Sequence, residues 1–233
     1  MAIQLYKANN VTSGFHTNPI KTLPEISVPA IQQIKTHFGS SKPLTEEILQ
    51  LVREWLKFYF RKHEKRYQHS ISTGVAAEEI AMIIDYTDPI KARLVGLLHD
   101  IAKTPVKKIL KTITREKFEK LNNRLEQLGI ELLEPELIFY EDKRDNIKNL
   151  HAPIGMLMAE KKLGIQDYEV LNAIRYHTLG FDIDNLDVLS RIIILADKIE
   201  PVKRGHVLYN ESIDMLRVTK DLDSVLNVLR NKQ

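Results

Sequence analysis

Ile48, Leu49, Val52, Trp55, Leu56 and Tyr59 recur at spacings of three and four, which lays one apolar stripe along a helix over residues 45–62. Glu46 and Glu47 fall in its first turn, where the helix dipole favours carboxylates. The pattern predicts a second helix over 67–85. Asp88-Pro89, a capping side chain followed by a ring with a pre-set φ, opens a third that runs to 103 with Leu94, Leu97, Leu98 and Ile101 as its core stripe. Further helices are predicted over 114–128 closed by Gly129, 151–163 closed by Gly164, 167–177 capped by Asp167, 186–199 and 221–230. No run alternates with the two-residue period of a strand, and no segment repeats. The expected fold is all-α.

Residues 1–44 break this pattern. Pro19, Pro24, Pro29 and Pro43 exclude one long helix and leave room for a short one over 30–38, so the segment reads as an N-terminal arm before a domain over 45–233. Residues 103–150 read as a charged helical insertion or lid. Eight Lys and Arg stand against two Glu from 103 to 124, and seven acids against two bases from 125 to 146. Phe118 is the only aromatic residue of the basic half, which argues against a nucleic-acid face because such faces need stacking rings.

Composition narrows the classes. Of 233 residues, 43% are hydrophobic and 28% charged, the balance of a globular chain with enough length for a continuous core. A net charge of +3 is too small to argue for a polyanionic partner. The chain has no cysteine, which excludes disulfides, thiolate zinc sites, iron–sulfur clusters and thiol nucleophiles. The apolar run from Ile192 to Ala196 is far short of the roughly 20 residues that span a bilayer, so no membrane span is expected. The first residues, MAIQLYKANN, lack the basic start and apolar stretch of a secretory signal, and a cytoplasmic location is expected.

The histidines carry the chemistry. Of eight, four fall in helical or helix-terminal apolar contexts where a bare imidazole needs a partner: His69, His99, His151 and His177. Asp100 follows His99 directly in LLHDIAK, and Asp197 follows an apolar run in RIIILADKIEP, where an ionised carboxylate is costly unless paired or coordinated. Imidazole and carboxylate suit first-row divalent metals, and this set suffices for two ions that share a carboxylate. Helix geometry supports the sharing, because adjacent residues diverge by about 100 degrees and His99 and Asp100 therefore point different ways from one backbone. Thr73, Ala76 and Ala77, on the side of His69, leave room for a neighbouring helix. The alternative, six unrelated groups each with its own buried partner, is the weaker account. His16, His37, His63 and His206 lie in polar or loop-like contexts and are expected to be solvated.

The series His69, His99-Asp100 and Asp197 resembles the ligand pattern of the HD superfamily of phosphohydrolases, helical proteins whose ligands come from several helices. RYQH at 66–69, LLHDIAK at 97–103, LHAPIG at 150–155, RYHTLG at 175–180 and LADKIEP at 195–201 resemble the bacterial YqeK-type family, the symmetrical diadenosine tetraphosphate hydrolases. The likeness runs over about 60% of the chain. It implies an HD-domain helical bundle with a dinuclear, iron-containing site, in a homodimer, and Mn, Co, Ni or Zn as other ions that such ligands accept. By this likeness His69, His99, Asp100 and Asp197 hold one metal, and His151 and His177 hold the second with Asp100 bridging. Ala152 stands where the family usually has glycine, the 103–150 segment is longer, and the arm has no counterpart.

The activity implied is attack of a metal-activated hydroxide on a central phosphorus of diadenosine tetraphosphate, releasing two ADP. Asp100 and Lys103 are the expected catalytic residues. Arg66, Lys103, Arg175, Thr178 and Arg204 are expected to hold the substrate, with surface salt bridges as the competing explanation for the four cations. Two other readings remain: an HD phosphohydrolase of another nucleotide, either a nucleoside monophosphate or a guanosine alarmone, and a non-catalytic nucleotide-binding regulator.

Overall fold

Gly74 and Gly96 set the architecture around the site. The structure, a computed structural model, describes residues 28–40, 42–104, 123, 151–178 and 186–231. Helix α3 (Glu64–Ile83) and helix α4 (Pro89–Leu98) cross with these glycines in contact. A Cβ on Gly96 would lie 2.7 Å from the Cα of Gly74, closer than packed atoms come, so the crossing needs Gly96 to lack a side chain, and a Cβ on Gly74 would itself sit 3.2 Å from the Arg93 carbonyl oxygen. Asp88 caps α4 as its Asp-Pro signature predicts, accepting a hydrogen bond from the Lys91 N–H at 2.9 Å. The helix ends at Leu98, not at residue 103. His99 keeps helical dihedrals as its C-cap, and the chain then turns through 100–102.

Ahead of this pair lie α1 (Val28–Phe38) and α2 (Glu46–Tyr59). The stripe Leu49, Val52, Trp55 and Leu56 of α2 is buried, and Trp55 stacks on Tyr59 with ring centroids 5.1 Å apart. Helix α1 lies within the segment read as an arm, yet it packs against α2 and contributes the fully buried Ile34 to the common core. Residues 1–27 are outside the described residues. So are the helix predicted over 114–128, with Phe118, and nearly all of the charged segment at 103–150.

The chain continues with α5 (His151–Met158), which runs into a single π-helical stretch, Ala159–Leu163, ended by Gly164 at φ +74°. The following α6 (Tyr168–Tyr176) is capped by Asp167, as predicted. Lys91 Nζ reaches Asp167 at 2.9 Å and Glu169 at 3.1 Å, and the Tyr86 hydroxyl donates to Glu169 at 2.7 Å, tying α6 to the corner between α3 and α4. At the centre runs α7 (Val188–Ile199), with five consecutive buried residues, Ile192 to Ala196. Five consecutive buried residues cover every face of that stretch, which places it inside, and α7 touches α3, α4 and α6.

Two helices follow where none was expected: α8 (Pro201–Arg204) and α9 (His206–Thr219). Only Ser212, Ile213 and Leu216 of α9 are buried, too narrow a stripe to announce a helix by periodicity. His206, expected in a loop-like context, opens α9 and is exposed. Helix α10 (Leu222–Asn231) closes the bundle with Leu222, Val225, Leu226 and Leu229 inward. The described residues are helices and connections with no strand, so the fold is all-α.

Candidate metal centre

His69 faces inward from the second turn of α3, His99 caps α4, His151 opens α5 and His177 caps α6, so four helices deliver four imidazoles. All four are buried, and Asp100 among them is 2% exposed. Asp197, in the last turn of α7, is partly buried. These are the six residues singled out from the sequence, and the fold brings them together.

Asp100 is shared between two groups of ligand atoms. Its Oδ2 lies 3.4 Å from His69 Nε2 and 3.7 Å from His99 Nε2, while its Oδ1 lies 2.9 Å from His151 Nε2 and 3.5 Å from His177 Nε2. The first group is completed by Asp197, whose Oδ1 is 3.1 Å from His69 Nε2 and 3.7 Å from His99 Nε2. Within the groups, the Nε2 atoms of His69 and His99 are 3.2 Å apart and those of His151 and His177 are 3.1 Å apart.

The donor chemistry fits divalent cations. His99 donates its Nδ1–H to the Gly96 carbonyl at 2.7 Å, and His177 donates likewise to Ile174 at 2.7 Å. With Nδ1 so engaged, each ring turns its Nε2 inward, the arrangement in which imidazoles bind metals. Asp100 Oδ1 and Asp197 Oδ1 are buried and receive no well-aligned hydrogen bond, although imidazole nitrogens stand close to both. Converging lone pairs with few protons between them call for cations.

Protonation cuts across this division. Burial pushes His99 down to about 3 and His151 down to about 4, against the pull of Asp100 on both, so both are neutral at pH 7. His69 is also penalised by burial, but the carboxylates of Asp100, Asp197 and Glu200 close beside it outweigh this and lift it to about 10. Burial would raise the carboxyls of Asp100 and Asp197, yet the imidazoles around them hold both well below the usual range.

The cations expected around the site divide. Lys103 Nζ lies 2.7 Å from Asp100 Oδ2, so it stands beside the shared carboxylate. Arg66 is half-buried one turn before His69, and its Nη1 has no hydrogen-bond partner. Thr178, directly after His177, buries its Oγ1 without a partner, so it does not satisfy backbone. Arg175 lays its guanidinium over the Tyr176 ring at 5.3 Å. Arg204 is exposed on α8, and it is the preceding Lys203 that pairs with Asp197, at 3.8 Å. Sequence reasoning missed Lys203 and also Glu200, which is fully buried with Oε1 3.0 Å from His69 Nδ1. Glu200-Pro201 repeats the signature of Asp88-Pro89, which marked a cap but gave no sign of a histidine behind it.

The sequence pattern of the HD domain family matches residues 66–202, a span that holds all six residues. The chain belongs to the HD domain family and is an HD-domain hydrolase. Among curated relatives, a symmetrical bis(5'-nucleosyl)-tetraphosphatase of Halalkalibacterium halodurans is 37% identical over 66% of this chain and 67% of its own length. An enzyme of the same name from Bacillus subtilis is 32% identical over 67% of this chain and 69% of its own. Among solved structures, a predicted HD superfamily hydrolase involved in NAD metabolism from Clostridium acetobutylicum is 32% identical, with a TM-score of 0.53 over 76% of this chain and 80% of that one. No helix of the described residues is long and apolar enough to cross a membrane.

Proposed function

We propose that this protein cleaves diadenosine tetraphosphate symmetrically to two ADP, using two divalent ions. The observation that carries the reading is Asp100, whose two oxygens belong to two different groups of imidazoles. His69, His99, Asp100 and Asp197 would hold one ion, and Asp100, His151 and His177 the other. Two ions so placed supply an activated water at neutral pH and neutralise charge on phosphoryl oxygens. Iron is the expected metal, with Mn, Co, Ni or Zn accepted by the same donors.

The chain's own residues bind and orient the substrate. Lys103, beside Asp100, presents a cation to the polyphosphate at the reacting centre, and Lys203 does so from the side of Asp197. Arg66 has a guanidinium nitrogen free of protein partners for a phosphate oxygen, and Thr178 has a hydroxyl in the same condition. Arg175 and Arg204 are the further cations proposed to hold the substrate. The site is fully furnished with ligands, which disfavours a purely regulatory protein. Homodimers and a cytoplasmic location complete the proposal.

The test is anaerobic purification, metal analysis and incubation with diadenosine tetraphosphate, with products separated by ion exchange. ADP as sole product, abolished by chelation, supports the reading; ATP plus AMP means attack at another phosphorus. Nucleoside monophosphates and guanosine alarmones are the alternative substrates to run beside it.

A further inference from the structure

Glu200 is the one fully buried acid among the described residues, and no lysine or arginine neutralises it. Its carboxylate is nevertheless fully engaged. Oε1 accepts the Nδ1–H of His69 at 3.0 Å and the backbone N–H of Lys203 at 3.0 Å, and Oε2 accepts the N–H of Val202 at 2.9 Å. The same residue is the C-cap of α7, one turn beyond Asp197, and the N-cap of α8, which carries Lys203. One carboxylate thus fixes the ring of His69, the end of the helix bearing Asp197 and the turn bearing Lys203. Around the other group, His177 leans on a neutral carbonyl and His151 Nδ1 has no hydrogen-bond partner.

We propose that Glu200 is the positioning residue of the first metal position alone: through His69 it sets the affinity of that position and leaves the position at His151 and His177 unaffected. The proposal rests on the two-ion reading above. A carboxylate behind a ligand imidazole holds the Nδ1–H tautomer, turns Nε2 to the metal and makes it more basic, and loss of such a partner weakens binding by about 10- to 100-fold. Glu200 also caps α8, and the experiment must separate that duty from the one proposed.

Glu200→Asp separates them. Aspartate is a good N-cap, so Val202 and Lys203 keep an acceptor, but its side chain is about 1.5 Å shorter and no longer reaches His69. Glu200→Gln keeps the reach with a neutral acceptor. Calorimetric titration of the metal-free full chain with Mn²⁺ should show one of two ions weakened about 10- to 100-fold in Glu200→Asp, less in Glu200→Gln, and the other ion within threefold of wild type. If Glu200 serves only as a cap, Glu200→Asp binds both ions like wild type, and the proposal falls. Equal weakening of both ions also overturns it.

A second readout needs no metal. Nitrogen-15 spectra of the histidine rings should show the Nδ1 of His69 carrying its proton in wild type and losing protection in Glu200→Asp. An unchanged His69 signal refutes the proposal. Uptake of a single ion by the wild type defeats the two-ion reading instead, and the ring spectra then still decide the role of Glu200.

Discussion

His69 and His99 stand on helices whose backbones touch through Gly74 and Gly96, whereas His151 and His177 stand at helix ends, one opening α5 and one closing α6. The first pair is backed by a buried carboxylate and a carbonyl, and it shares oxygens from Asp100 and Asp197. The second pair is backed by a single carbonyl and shares only Asp100 Oδ1. Two ligand sets of similar composition thus differ in charge and in rigidity. More negative charge and a stiffer frame give the tighter cation position, so the first ion is expected to be retained and the second to exchange.

Removing what the halves share should have the largest effect. Asp100→Ala is expected to lose both ions by metal analysis and to lower turnover of diadenosine tetraphosphate by roughly a thousandfold or more. Retention of two ions would contradict the shared carboxylate.

Titration of the metal-free protein sets His69 apart from His99 and His151 next. His99 and His151, at about 3 and 4 when folded and near 6.5 when unfolded, bind fewer protons in the native state over that interval. Stability should therefore fall as pH drops from 6.5 to 4, by about 1.4 kcal/mol for each unit of displaced titration. His69 behaves oppositely. Raised to about 10, it stabilises fully below pH 6.5 and loses that contribution as pH rises through 10. Melting curves of His69→Ala should lose the alkaline slope and keep the acid one.

His177→Ala should break one half only, leaving about one ion per chain and lowering turnover by roughly 100-fold. Loss of both ions would erase the distinction between the halves. Lys103→Ala should keep both ions and lower turnover by roughly 10- to 100-fold, the worth of a hydrogen bond from a charged group. Unchanged turnover would reduce its contact with Asp100 to a salt bridge. Gly96→Ala forces a methyl to within 2.7 Å of Gly74 and is expected to cost about 1–3 kcal/mol in thermal melting. The spread crossing should also weaken the ion at His69 and His99 more than the ion at His151 and His177.

The cluster of six residues was legible because it consists of exceptions: imidazoles and carboxylates in apolar helical runs cost too much to be there without partners. Helix starts at Asp88, Asp167 and residue 46 were legible because caps and first-turn acids are local chemistry. What escaped depends on distant neighbours. Glu200 drew no reading from the sequence, because its partner His69 is brought to it by α3 across 131 residues. Helix α9 escaped because its apolar residues, exposed Val207 and Val218 among them, do not fall on one face, and α4 was drawn too long because its stripe continues through Ile101 and Ala102, which are buried although the helix has ended. The short helix expected over 30–38 is present, but the sequence did not say that Ile34 would be fully buried.

Trp55 is the chain's single tryptophan, 1% exposed and stacked on Tyr59 in α2. The protein therefore carries its own optical reporter. An indole held in apolar surroundings emits at shorter wavelength than one in water, so one emission band follows the seating of α2 against α1, α3 and α4 without any label. A variant that alters ion binding while leaving this band in place has changed the site and not the body that holds it.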